Sequence, residues 1–344
     1  MAATLWTGTG AGSPQNISNA VNTVSFQPGL VWVKARNATG NHAVTDSVRG
    51  AYLQLITQLT NAEANYSPYG VTAFNSNGFS VNDDNSGNYS VNGAAGGLYS
   101  GTPPNYVGWQ WKAGGTAVSN TAGTNNSLVS ANTTAGFSVV AYTGTSTNAT
   151  VGHGLGVAPS FIIIKSRNNA DNWYAYHSAI GNTDSLSPNL TNATFANSAY
   201  WNNTSPTASV FTIGTIPSQS TWTYVAYCWA PVAGYSAFGS YTGNGSADGP
   251  FIYTGFRPRW LMIKRTDAVQ NWIIVDTSRD TYNVANKRLF ANLTDAEDTG
   301  IPNYMDMVSN GFKCRDSNVS YNASGGTYIY AAYAENPLKY ANAR

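Results

Sequence analysis

Four consecutive large apolar residues, with a proline two positions before them and a lysine directly after, occur three times. The copies are Pro28-Gly-Leu-Val-Trp-Val-Lys34, Pro159-Ser-Phe-Ile-Ile-Ile-Lys165 and Pro258-Arg-Trp-Leu-Met-Ile-Lys264. A short, unbroken apolar run of this kind reads as a strand buried on both faces or in a sandwich core. The same two offsets carry Asn41 to Asn172 to Asn271, and Ser47 to Ser178 to Thr277, with no gap between. Self-similarity at this scale signals a repeat architecture. Turn formers follow each run, from Arg36 to Asn41, from Arg167 to Asn172 and from Thr266 to Asn271. Then come return strands rich in β-branched and aromatic residues: His42 to Asp46, Trp173 to His177 and Trp272 to Asp276. The shared unit is a predicted hairpin.

Further markers recur in the same order. Leu59-Thr-Asn-Ala-Glu63 matches Leu190-Thr-Asn-Ala-Thr194 and Leu293-Thr-Asp-Ala-Glu297. A Gly-Phe step stands at Gly78-Phe79 and Gly311-Phe312, with Val210-Phe211 in the middle copy. The closing segments, Tyr106 to Trp111, Tyr224 to Trp229 and Tyr328 to Tyr333, place large aromatics at alternate positions, on one face of a sheet. No helical period competes with this pattern. The predicted fold is all-β: three tandem antiparallel β-sandwich repeats of about 100 residues each. Repeat 1 spans 1–113, repeat 2 spans 137–231, and repeat 3 with a C-terminal tail spans 235–344. The Gly/Ser/Thr/Asn-rich stretch 114–136 reads as a linker or long loop. Only a few residues separate the second and third repeats, which predicts a more rigid relation for that pair.

Composition narrows the function classes. Lys plus Arg number 17 against 16 Asp plus Glu, so no basic surplus points to nucleic acid. Charged residues make up 10%, against about 25% in ordinary soluble proteins. The polar Asn, Ser, Thr and Gly that replace them suit exported or virion β proteins. No apolar run approaches the ~18 residues of a membrane helix, so no membrane insertion is expected, and the N-terminus shows no signal-peptide pattern. Cys228 and Cys314 sit in strand-like surroundings in different repeats. Two buried thiols are the favoured reading, and a bridge between them is left open.

Candidate chemistry is sparse. Asp46 with Arg49, and Asp276 with Arg279, look like local turn ion pairs, with Lys34 or Lys264 as alternative partners; the middle copy has His177 and Ile180 at these positions. His42, His153 and His177 stand in non-equivalent contexts without metal-ligand spacing. Asp83-Asp84-Asn85 lacks the terminal Glu of a calcium loop and reads as a polar loop tip. No nucleophile elbow, phosphate loop or dinucleotide fingerprint is present, and no carboxylate pair points to glycoside hydrolysis. No catalytic residue, metal or cofactor is expected. Tyr89, Tyr99, Tyr200 and Trp201, in Asn- and Gly-rich loops, are the candidate glycan-stacking residues, with core packing as the competing role. Lys34, Lys165, Lys264, Asp46, Arg49, Asp276 and Arg279 are expected to be structural positions of the repeat.

The set Tyr241-Thr-Gly243, Phe256-Arg-Pro258, Lys264, Asn271-Trp272, Asp276, Arg279, Leu293 to Glu297 and Asn310-Gly-Phe312 resembles a repeat domain of uncharacterised virion and tail-appendage proteins of tailed, often marine, bacteriophages. That resemblance implies a non-enzymatic virion protein: a tail fibre, spike or adhesin component contacting the host surface. The alternatives are a capsid or tail decoration protein and, further off, a secreted carbohydrate-binding or carbohydrate-active protein. Implied partners are other virion proteins and a host surface glycan or receptor, with a homotrimer or a lattice-bound state, at the surface of the virion.

Overall fold

The computed structural model describes residues 1–20, 25–84, 90–94, 102–300 and 304–337. The chain is all-β, as expected, and the described residues include two single-turn α-helices, at Ser198–Trp201 and Val319–Asn322, and one short 3-10 turn. Among the described residues no helix is long and apolar enough to cross a membrane.

Each module has one main sheet with the same local order: opening strand, closing strand, lysine strand, return strand. In the first module these are Ala2–Thr7, Asn105–Trp111, Leu30–Ala35 and Ala43–Asp46. In the second they are Phe137–Thr143, Thr223–Trp229, Phe161–Ser166 and Trp173–His177. In the third they are Ser236–Thr242, Thr327–Ala334, Pro258–Arg265 and Ile273–Asp276. All neighbouring pairs are antiparallel.

A smaller sheet lies against each main sheet. It pairs Gln15–Ser18 with Gly78–Asn82 in the first module, Ala149–Gly152 with Val210–Ile213 in the second, and Phe251–Tyr253 with Gly311–Cys314 in the third. The Gly-Phe step is explained here. A Cβ on Gly78 or Gly311 would fall within 2.0 Å of the carbonyl oxygen of Ile17 or Ile252 on the facing strand. In the middle module the glycine has changed sides: Val210 pairs with Gly152.

Strand alternation divides the apolar residues between two cores. One parity faces the small sheet and fills a private core: Val31, Val33, Ala43 and Phe79 in the first module, Ile162, Ile164, Tyr174 and Phe211 in the second, Leu261, Ile263, Ile273 and Phe312 in the third. The other parity does not meet solvent. Leu30, Trp32, Val44, Trp109 and Trp111 join Phe161, Ile163, Trp173, Tyr227 and Trp229, and Trp260, Met262, Trp272, Ile274 and Tyr333, in one central core drawn from all three modules. Trp111 meets Trp229 at 6.0 Å, Trp260 at 5.5 Å and Tyr333 at 5.8 Å between ring centroids, all edge-on, the arrangement that ring quadrupoles favour.

Two expectations about organisation are corrected. The stretch 114–136 is not a linker. It contributes strands Val118–Asn120 and Ser127–Asn132, which extend the main sheet of the second module beyond Phe137–Thr143. Its small polar composition mimics a flexible tether, yet Ser127 and Val129 are buried and the backbone supplies the pairing. The second and third modules are also not a privileged pair, because the central core joins all three.

A shared core predicts one cooperative event. Calorimetry of the full chain should show a single unfolding transition, and Trp111→Ala should lower stability by about 3–5 kcal/mol. Three separable transitions, with Trp111→Ala affecting only one, would contradict the shared core.

Candidate functional site

The parity that puts Trp32, Ile163 and Met262 in the central core also points the lysine two residues later at a neighbouring module. Lys34 Nζ donates to its own Ala35 carbonyl at 2.9 Å and to Thr294 of the third module at 3.1 Å. Lys165 Nζ donates to Ser166 at 3.0 Å and to Thr60 of the first module at 3.1 Å. Lys264 Nζ donates to Arg265 at 2.8 Å and to Thr191 of the second module at 3.0 Å. The three contacts close a ring: first to third, third to second, second to first. The acceptors are the threonines of the Leu-Thr-x-Ala marker. Each accepts a second bond, from the amide of Gly40, Asp171 or Gln270 respectively. Burial pushes the ammonium groups down, Lys34 and Lys264 to about 7 and Lys165 to about 8.

A second ring of contacts follows from the return strand. Trp173 Nε1 donates to Ile56 of the first module and Trp272 Nε1 donates to Ser187 of the second, both at 3.0 Å. In the first module the equivalent residue is His42. Its Nδ1 accepts from the Trp32 indole at 2.8 Å, so its Nε2 carries the proton and donates to Phe290 of the third module at 2.9 Å. Burial and the nearby Lys34 charge hold His42 well below the ordinary histidine range.

The aspartates mark a third ring. Asp46 accepts from the backbone amides of Val48 and Arg49, from the Arg49 guanidinium, and from Tyr227 Oη of the second module at 2.8 Å. Asp276 accepts from Ser278 and Arg279 amides, from Arg279 Nε at 2.6 Å, and from Trp109 Nε1 of the first module at 3.0 Å. Each arginine reaches on to a glutamate, Arg49 to Glu63 at 2.7 Å and Arg279 to Glu297 at 3.3 Å. Each glutamate also holds an arginine from the next module, Arg167 on Glu63 and Arg36 on Glu297. Burial alone would raise the Glu63 carboxyl, but Arg167 and Arg49 pull it below its ordinary value. The aspartates thus pair with arginine rather than with Lys34 or Lys264.

The middle module replaces the whole set: His177, Ile180 and Thr194 stand for Asp, Arg and Glu. The closing strand it faces explains why. The position matching Tyr227 in the third module is Ala331, which has no side-chain donor. An aspartate there would be buried without its partner. His177 inverts the polarity: Nδ1 accepts from the Ala179 amide, and Nε2 donates to the Tyr330 carbonyl at 3.1 Å. Burial lowers His177 to about 4. His153 is engaged in the same way, accepting from Leu155 and donating to Thr207.

The remaining sequence candidates fall apart from one another. Trp201 is 1% exposed and packs edge-on against Tyr176. Tyr200 is half-buried between Tyr174 and Phe195. Trp201 therefore packs in the core of the second module, and Tyr200 packs edge-on between its two neighbours. Tyr89 and Tyr99 lie outside the described residues. Asp83 is fully buried rather than at a loop tip. Cys228 and Cys314 are free, buried thiols. Among the described residues no three His, Cys, Asp or Glu side chains come together as a metal site. Glu63, Glu297 and the three threonine carbonyls were not singled out from sequence as bonding partners. The Leu-Thr-x-Ala marker was the available signal, since it recurs wherever the lysine does.

The arrangement defines an all-β protein whose three modules are latched around one core. The chain belongs to the family described as Domain of unknown function (DUF7483), whose model matches residues 1–337 and so spans all three modules. No curated protein and no solved structure matches.

Two measurements test the latches. Lys165→Met leaves the Thr60 and Ser166 carbonyls short of a donor and should cost about 1–3 kcal/mol in urea unfolding at pH 7. A lysine lowered by folding releases its proton early, so the unfolded chain binds more protons between about 8 and the ordinary lysine range. Stability from this group therefore rises with pH through that window, and Lys165→Met should flatten the rise. An unchanged midpoint and slope would count against the latch. For His177 the window is from about 4 up to the ordinary histidine value of 6.5. There the unfolded chain takes a proton that the folded one refuses. Wild-type stability should fall with acidification by on the order of 3 kcal/mol relative to His177→Gln, which keeps a donor for Tyr330. Parallel curves for the two proteins would refute this.

Proposed function

We propose that this chain is a non-enzymatic structural protein of a tailed-phage virion: a tail fibre, spike or adhesin component that meets the host surface. The observation that carries the reading is where the ionisable side chains go. The recurring lysines, aspartates, arginines and glutamates, and the ring nitrogens of all three histidines, are committed to holding modules together or to bracing turns. Groups locked in this way serve a rigid body whose outward faces and loops are left for binding. The likeness of the repeat to phage tail-appendage domains supports the same reading, as does a surface built from Asn, Ser, Thr and Gly. Its partners on this reading are other virion proteins and a host surface molecule. The ring of modules closes within one chain, so the reading does not require a homotrimer to supply a threefold body.

Immunogold labelling of intact virions tests it. Label at the tail tip is the expected result. Label over the head would move the assignment to a decoration protein, and absence from purified particles would refute a virion role.

A further inference from the structure

Phe251 and Tyr253 are 47% and 64% exposed, although they lie in a regular strand. Between them Ile252 points inward to the private core of the third module. The other modules show what the fold requires at these positions. Register against the phenylalanine that recurs in each module equates Ile252 with Ile17 and Val151. Phe251 and Tyr253 therefore correspond to Asn16 and Ser18 in the first module and to Thr150 and Gly152 in the second. Small residues without rings satisfy the strand in the first two modules, and the third module places rings there.

The rings are supported from below by bare backbone. A Cβ on Gly311 would meet the Phe251 ring at 2.9 Å, so Phe251 leans over that glycine. A Cβ on Gly255 would stand 3.6 Å from the Tyr253 hydroxyl. The turn carrying Gly255 is held by two amide bonds to the Asn310 carbonyl. The rings lie two residues apart on one face, about 7 Å along the strand. Lys313 is paired directly with Phe251, and Asp306 with Lys313, so both belong to the same face. Lys313 is bound to Asp248 at 2.5 Å and Arg315 to Asp306 at 3.4 Å. The next loop is fixed to this sheet by both Asn283 amide bonds to the Met307 backbone, and it carries Tyr282 at 85% exposure.

We propose that this face is a saccharide platform: Phe251 and Tyr253 stack on neutral sugar rings, and the flanking ion pairs bond the hydroxyls. It rests on the host-contact reading above. The four flanking charges cancel in pairs, which suits a neutral, hydroxyl-rich occupant rather than an anionic one. Two partly exposed rings offer at most a few hundred Å², below the ~1,000 Å² that a stable protein interface needs. Charges set directly beside the rings are likewise depleted at the centre of protein interfaces.

The test uses the full chain on immobilised neutral oligosaccharides of glucose, galactose and N-acetylglucosamine, with sialylated and sulfated versions alongside. Retention on at least one neutral probe is expected. The double variant Phe251→Asn, Tyr253→Ser adopts residues the fold already tolerates in the first module. It should bind at least about tenfold more weakly at an unchanged thermal midpoint. The proposal is overturned by no retention on any neutral probe, by equal retention of the double variant, or by preference for the acidic probes. It is equally overturned if sedimentation shows self-association that the double variant abolishes. Tail-tip label without glycan retention removes the platform and leaves the host-contact reading. Head label with ring-dependent retention does the reverse.

Discussion

Burial of the three main sheets on both faces is the constraint from which the rest follows. A sandwich normally hides one face of each sheet and wets the other. Here the second face of each main sheet is apolar as well, and among the described residues it packs against the other two sheets. Three modules closed around one core satisfy this. The arrangement drives polar groups at the strand ends into the interior, and each needs a partner there. Lys34, Lys165 and Lys264 find theirs on the neighbouring module's loop, so the residues that stop the apolar run also join the modules.

The middle module shows how tightly these contacts are coupled. Removing one member of a buried ion pair leaves an uncompensated charge, whereas removing all members together can be nearly neutral. His177, Ile180 and Thr194 replace three charged residues at once, on the face opposite Ala331, where no tyrosine or tryptophan donor is available. His42 in place of a tryptophan is the same kind of exchange. An imidazole with Nδ1 satisfied inside its own module presents an N–H where the indole would have done. The repeats keep a hydrogen bond at these junctions and let the residue types change, and at His177 the direction of the bond as well.

The aromatic content divides along the same lines. Most rings serve the central or private cores, Trp201 among them. The copies carry different side chains where the fold is indifferent, and at those places exposed rings become informative. Phe251 and Tyr253 were passed over in the sequence because alternating apolar residues in a short segment read as ordinary strand. Setting the segment beside Asn16 to Ser18 and Thr150 to Gly152 would have singled them out.

The sequence by itself determined the all-β class, the three copies of the lysine hairpin, the facing of alternate residues and the pairing of Asp46 with Arg49 and of Asp276 with Arg279. These are local or periodic properties, written in strand alternation and in turn chemistry. It also carried a hint of the latch, because the lysine persists in the module that has lost the aspartate. Only the tertiary structure decided that 114–136 is sheet rather than tether, that the modules share a core, and which threonine carbonyl each lysine meets. Those depend on contacts between residues far apart in the chain. A periodic pattern reports which face of a strand is buried, but not what buries it.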